Sequence, residues 1–238
     1  SAQIGGSSSL FGSDAMGGVV NVWTRDFAQL NVEGAFQTLD NASVLTIGGA
    51  PRGDTSLGLA IRYADEASAA EGTPLNTGYR SGAAVLQHES AWRTIKLKVN
   101  GLVSLAQDVG KSSREYPRSI SYYPHERHEI LKVEMERADQ WLLRFYGHRQ
   151  DWQTKTQIRE SGLALNSYRS DTLGSLFYLT HAKLSGLGRL GIEWVGRRGV
   201  SIRYQEQDSE GLLLFDSEPV SGKQDNLGLF IDQVWTVG

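Results

Sequence analysis

The sequence predicts an all-β chain laid out as one antiparallel series of about ten long strands. Three observations predict it. Apolar and polar side chains alternate with a period of two over run after run. Charged residues recur at spacing two rather than three and four, which excludes an amphipathic helix. Clusters of Gly, Pro, Asn and Asp punctuate the runs. Composition agrees, because 39% hydrophobic content with 27 glycines in 238 residues suits strands joined by polar turns.

Residues 1 to 25 read as a Gly/Ser-rich turn region ending in a short strand. Gly17 and Gly18 permit tight turns, Ser13 and Asp14 can bond neighbouring amides, and Val19-Val20-Asn21-Val22 favours extended backbone. A brief linker, Asp26 to Ala28, follows. Leu30, Val32, Gly34 and Phe36 then alternate with Asn31, Glu33, Ala35 and Gln37. A polar turn at Asp40-Asn41 leads to a second run over 42–49, and Pro51-Arg52-Gly53-Asp54 is a turn signal. The third run sets Leu57, Leu59, Ile61 and Tyr63 against Ser56, Gly58, Ala60 and Arg62.

Beyond a polar loop from Asp65 to Thr77, runs follow at 79–90, 93–107, 126–137, 141–155, 168–183, 188–204 and 224–236. Ile95, Leu97 and Val99 oppose Lys96, Lys98 and Asn100. Leu131, Val133 and Met135 oppose Lys132, Glu134 and Glu136. Leu190, Ile192 and Trp194 oppose Gly191, Glu193 and Arg197.

The connections alternate as well. Those near 51–54, 90–93, 137–141 and 183–188 are short, and those near 65–77, 108–125, 156–167 and 205–223 are long, with Asp40-Asn41 the exception. Tight turns on one rim and long loops on the other characterise transmembrane barrels. Runs of about 12 to 16 residues also exceed the soluble mode of about 5–6. A barrel with a wet interior gives the apolar face lipid and the charged face water. Arg62, Lys96, Lys98, Lys132, Glu134, Glu136, Glu193 and Arg197 are then expected inside. Trp141 and Trp235 share apolar parity near the tight-turn rim, where an interfacial aromatic girdle belongs.

Other classes are excluded residue by residue. A net charge of −3 gives no footprint for nucleic acid. With no cysteine there are no disulfides, thiolate metal sites or cysteine nucleophiles. No window reaches 18 consecutive apolar residues, so no transmembrane helix is expected, which leaves a barrel open. Gly186-Leu187-Gly188-Arg189-Leu190-Gly191 fits a dinucleotide pattern, but Ile192-Glu193-Trp194-Val195 reads as strand where a helix is needed, so it reads as a hairpin turn. His125-Glu126-Arg127-His128-Glu129 spaces its histidines three apart in a strand, unlike a zinc helix. Asn41-Ala42-Ser43 is an incidental sequon, and no elbow unites Ser, His and Asp. No catalytic constellation, cofactor or metal site is expected, and therefore no enzyme.

The connection 108–125 is the richest candidate for recognition, with Arg114, Tyr116, Arg118, Tyr122, Tyr123 and His125. Arginines offer forked donors to carboxylates or catecholates, and tyrosines offer flat amphipathic contact. The plainer alternative makes the aromatics a girdle and the arginines a solvated rim.

The stretch Ser8-Ser9-Leu10-Phe11-Gly12-Ser13-Asp14-Ala15-Met16-Gly17-Gly18-Val19-Val20-Asn21-Val22-Trp23-Thr24-Arg25 resembles the end of the plug domain of TonB-dependent outer-membrane receptors. The family pattern there is a small-residue run, then Leu-Tyr-Gly-Ser-Asp-Ala-Ile-Gly-Gly-Val-Ile-Asn-Ile, then a polar break into the first barrel strand. Phe11 and Met16 are conservative swaps. Gly228-Leu229-Phe230-Ile231-Asp232-Gln233-Val234-Trp235 is similar to a recurrent mid-barrel strand, and the branch resembled most contains the siderophore and cobalamin receptors.

The resemblance implies that residues 1–25 are the C-terminal end of a plug domain, with Gly12, Ser13, Asp14, Gly17, Gly18 and Asn21 as its motif. It implies that 26–238 are the first part of a transmembrane β-barrel, about ten of 22 strands around a plugged lumen. The chain is then a fragment, without the box that meets the TonB-type energy-transducing protein. The implied function is active import across the bacterial outer membrane of a scarce chelate, foremost a ferric siderophore, with cobalamin or haem next. The implied partners are that chelate, the energy-transducing protein and outer-membrane lipid, with no nucleic acid. Where the family carries Arg-Gly-Pro this chain reads Ile4-Gly5-Gly6, so the plug–barrel contact of that arginine is not carried over. A passive porin or adhesin barrel and a soluble β-rich binding module are the other readings.

Overall fold

The structure is a computed structural model and describes residues 2–4, 18–20, 29–38, 40–111, 119–138, 140–158, 162–183 and 186–235. It is all-β, with no helix among the described residues. Two short strands, β1 (Ala2–Ile4) and β2 (Gly18–Val20), pair antiparallel with Ile4 opposite Gly18. The remaining ten strands form one sheet in sequence order. They are β3 (Asn31–Gln37), β4 (Ala42–Arg52), β5 (Thr55–Ala64), β6 (Tyr79–Trp92) and β7 (Ile95–Lys111), then β8 (Ser119–Arg137), β9 (Trp141–Ile158), β10 (Gly162–Lys183), β11 (Gly186–Gln207) and β12 (Leu213–Trp235). Each pairs antiparallel with its neighbour in sequence, the cheapest closure for a meander.

The strands turn back at Gly53-Asp54, at Arg93-Thr94, between Arg137 and Trp141, and between Lys183 and Gly186. Arg93 takes a positive φ of 56° in the second. The other rim differs from expectation. The described residues of 108–125, 156–167 and 205–223 are mostly strand, because backbone pairing continues through polar sequence that carries no two-faced pattern. Strand length therefore climbs from 7 residues in β3 to 23 in β12. The connection 65–78 stays a loop, folded as a miniature hairpin in which Ala69 and Leu75 donate to the carbonyls of Thr73 and Ala67. Asn76 ties it down by donating its side-chain amide to the carbonyls of Lys111 at 3.0 Å and Ser121 at 2.7 Å.

Register places the side chains on two faces. One register row runs Thr55, His88, Val99, Val133, Phe145, Ser175, Trp194, Leu227. The next runs Leu57, Leu86, Gly101, Leu131, Gly147, Leu173, Gly196. These rows belong to the apolar face. The opposite face aligns Lys96 with Glu136 and Lys98 with Glu134, as the alternation predicts. Large apolar side chains on the first face stay open, at 54% for Leu131, 50% for Leu173 and 79% for Leu229. On the polar face Glu134, Leu142 and Leu176 are buried. A single layer exposes its two faces unequally only if it curves, so the polar face is the enclosed one. Leu131 and Ile192 are exposed while Lys132 and Glu193 are half-buried; at Leu97 and Lys96, beside a turn, the order reverses.

The register also gives the tilt. Ser175 is level with Thr55, yet the tight turn after β10 follows Lys183, eight residues on, whereas the turn before β5 adjoins Thr55. At about 3.3 Å per residue the turns step down about 26 Å over six strand spacings of about 4.8 Å. If those turns share one rim, the strands tilt by about 43°. The upper edge of the apolar face repeats this. It lies above Tyr63 on β5 and above Leu227 on β12, again eight residues lower in register, for a tilt of about 38°.

Small residues set local contacts. The Tyr146 ring lies where a Cβ on Gly174 would stand, and Phe230 lies against Gly191 beside Tyr178, the pattern in which an aromatic covers a strand glycine. A Cβ on Gly110 would run into the backbone carbonyl of Asn76. Gly110→Ala should push the 65–78 loop off β7 and cost about 1–3 kcal/mol in denaturant unfolding. Gly53→Ala, with open space around it, should cost far less.

Candidate functional site

Above the apolar rows the first face changes character. Arg127 pairs with Glu129, and Arg149 Nε bonds Asp171 Oδ1 at 2.7 Å. Arg198 bonds Asp225 at 2.6 Å, and Arg203 pairs with Asp216. Register sets Glu129, Arg149, Asp171 and Arg198 in one row, and Arg127, Asp151 and Arg169 in the next. The signs alternate both along and across the strands, a charge checkerboard that bounds the apolar face. Arg203 holds the Asp216 carboxyl below the ordinary carboxylate range. At the base of the 65–78 loop the Tyr63 hydroxyl, and then the Asn41 amide, do the same to Asp65. These exposed pairs contribute little stability each.

The polar face carries the more specific arrangement. Two irregularities create it: Asp108 on β7 adopts a positive φ of 53°, and β8 slips by one residue against β9 between Tyr122 and His125. Such bulges re-aim side chains. Below the slip His125 bonds Asp151 at 3.1 Å, in the checkerboard. Above it Tyr123 turns to Trp152, edge-on at 6.2 Å, and Lys111 Nζ sits 4.5 Å from the Tyr123 ring centre. Trp152 stacks on its cross-strand neighbour Tyr168 at 5.5 Å and 20°. Further along the arc Tyr204 tilts against Phe215 at 6.0 Å. Five strands thus contribute one ring each, β8 to β12.

Directly beneath, Glu126 Oε1 lies 2.9 Å from His128 Nε2, and His128 Nδ1 lies 3.2 Å from His148 Nε2. Glu126 is the cross-strand partner of Trp152. Nearer the tight turns Glu134 is buried between Arg144 Nε at 2.6 Å and Lys132 Nζ at 3.1 Å, so two cations offset the cost of enclosing one carboxylate.

Of the residues expected to recognise a ligand, Arg114, Tyr116 and Arg118 lie outside the described residues. Tyr122, Tyr123 and His125 are not brought together: Tyr122 lies under Lys155, whose Nζ is 5.8 Å from the ring centre, while Tyr123 joins the aromatic arc and His125 the checkerboard. Of the plug-end motif, Gly12, Ser13, Asp14, Gly17 and Asn21 lie outside the described residues, and Gly18 opens β2. Trp141 is level with Leu179 beside a tight turn, as expected, and Trp92 occupies the same rim with Arg93 over its ring at 5.1 Å. The side chain of Trp235 is not among those described. Sequence reasoning missed Trp152, Tyr168, His128 and His148; their shared parity at 128, 148, 152 and 168 was the available signal.

Two concavities are notable among the described residues. The larger, about 970 Å³, crosses the apolar face over Ala84, Gly101 and Gly147 between Leu57, Leu86 and Leu173. Its lining is mainly hydrocarbon, with Glu129, Arg149, Asp171 and Arg198 of the checkerboard along one edge. The other, about 660 Å³, lies on the polar face beside Ser56, Gln87, Lys98 and Asn100. Among the described residues no group of three or more His, Asp or Glu is placed to hold a metal ion. The polar face can offer rings, hydroxyls and paired charges to a ligand. Comparison with protein families, with curated proteins and with solved structures returns no match.

The arc should act as a unit. Trp152→Ala removes the shared partner of Tyr123 and Tyr168. It should cost about 1–3 kcal/mol in unfolding and abolish most of the near-ultraviolet circular dichroism of the three-ring cluster. Tyr122→Ala should leave that signal in place.

Proposed function

We propose that this chain forms the first part of the barrel wall of a TonB-dependent importer in a bacterial outer membrane. A scarce metal chelate, foremost a ferric siderophore, would pass along its polar face. The observation that carries the reading is the two-faced single sheet with its tilt. The two register estimates, about 38° and about 43°, fall in the range of transmembrane barrels, about 35–45°. On β7 the apolar face runs from Ile95 to Leu105, about 33 Å along the strand and about 24 Å in height at that tilt, against an apolar band of about 25 Å in such barrels. Only Ala64, Leu142 and Leu176 are buried hydrophobics among the described residues, so the apolar face needs cover that the described residues do not supply.

The plug-end wording of residues 8 to 25 supports an energised importer over a passive pore. In that reading the checkerboard stands where the bilayer gives way to water, and the aromatic arc faces the lumen near its outer mouth. The rings, Lys111 and the histidine pair give the wall contacts for a bulky chelate with flat or hydroxylated surface. No bond of the cargo need be made or broken.

Phe145→Arg, on the middle of the apolar face, should weaken folding into lipid vesicles by about 2–4 kcal/mol. Ala83→Arg, on the polar face, should change it by less than about 0.5 kcal/mol. Equal costs would refute the lipid-facing assignment. The transport half is tested by growth of a receptor-deleted host on a panel of ferric siderophores, cobalamin and haem. The full-length gene should restore growth on one, and rescue on none would overturn the importer reading.

A further inference from the structure

The histidine pair has a geometry of its own. His128 and His148 lie end to end, ring centres 5.5 Å apart and planes 21° from parallel, with facing nitrogens 3.2 Å apart. Glu126 approaches the opposite nitrogen of His128 at 2.9 Å. Carboxylate and second imidazole therefore sit on opposite sides of one ring. They cannot converge on a shared ion, but they can pass a proton along a line.

We propose that Glu126, His128 and His148 form a two-histidine latch in the polar face, closed while the pair holds at most one extra proton and opened by a second. A neutral imidazole has one donor and one acceptor. With both rings neutral, His128 donates Nε2–H to Glu126 and its Nδ1 accepts from His148 Nε2–H. One added proton makes His128 a cation that donates both ways, to Glu126 and to His148 Nε2, while His148 carries its hydrogen on Nδ1. The line survives. A second added proton places N–H against N–H, and the rings must part.

The neighbours leave the latch to these three groups. On β7 the residues facing it are Leu102, Ser104 and Ala106, and on β9 they are Gln150, Trp152 and Tyr146. β10 supplies Thr172 opposite His148 and Ser170 opposite Gln150. Lys132 on β8 bonds Glu134, and Arg197 on β11 is opposite Thr172 and donates to Gln224. The buried Ser170 hydroxyl has no hydrogen-bond partner. It lies one position from Thr172 on the strand facing His148, and gives a released ring somewhere to go. Glu126 is the cross-strand partner of Trp152, so parting the pair loosens the footing of the aromatic arc. On the importer reading, acid would loosen the arc's hold on its cargo.

The 238-residue chain in detergent micelles tests this. Histidine ring 1H–15N spectra are followed from pH 8 to pH 4, with the pair assigned from His128→Gln and His148→Gln. Trp152 emission is isolated as the difference from Trp152→Phe. The expected result is two coupled steps more than one pH unit apart, with the Trp152 change confined to the second. His148→Gln should leave a single step and a flat Trp152 signal. Glu126→Gln, which decides the matter if His148→Gln does not fold, should move the first step to lower pH by removing the anion. Two overlapping steps with ordinary histidine pKa values would overturn the latch, as would Trp152 emission constant through the second step. Failure of growth rescue would overturn the importer while leaving this titration intact.

Discussion

Cross-strand backbone hydrogen bonding holds this structure together, and nearly everything else is arranged by it. With one ten-stranded layer and almost no buried hydrophobic side chain among the described residues, little packing is available to correct a register error. A slip of one residue would carry Leu131, Phe145 and Leu173 to the wet face and Lys132, Arg144 and Thr172 to the other. Alternation therefore specifies register here more strictly than in a sandwich, where packing can compensate. The regular pairing from β5 to β10 through the apolar rows reflects that stringency.

The same constraint explains what could be read from the chain. The ten strands of the sheet, their order and their faces were legible, because a sheet with one apolar and one polar face writes a period of two into the sequence. Leu97 against Lys98, or Ile192 against Glu193, needs no neighbour to be interpreted. The distal halves were not legible. At 119–125, 156–158, 162–167 and 213–223 the two-faced pattern fades, although the hydrogen-bond ladder does not. Polar sequence was taken for loop where it is strand clothed in ion pairs. The miss at 156–167 has this cause, since Lys155, Thr156 and Gln157 pair directly with Leu165, Ala164 and Leu163.

The site was legible only in part, for a related reason. Tyr122, Tyr123 and His125 lie close in sequence, and proximity suggested a common surface. The slip in β8 and the positive φ at Asp108 separate them, and such local geometry leaves little trace in the residues themselves. The partners Tyr123 gained, Trp152 and Tyr168, come from strands about thirty to forty-five residues away. Only register, a property of the assembled sheet, could join them. The histidine line has the same origin: His128 and His148 meet because β8 and β9 turn back on each other at 138–140.

The overall lengthening of strands from β3 to β12 gives the sheet an oblique crest, low at one end and tall at the other. On the proposed importer reading, a solute approaching from the crest side would graze the tall flank first and be guided down an incline rather than drop through an even mouth. The tall flank rises beyond the apolar rows and is held by ladder bonds and scattered ion pairs. Its backbone amides should therefore trade hydrogen with water soonest, and the ring arc marks where that fraying stops.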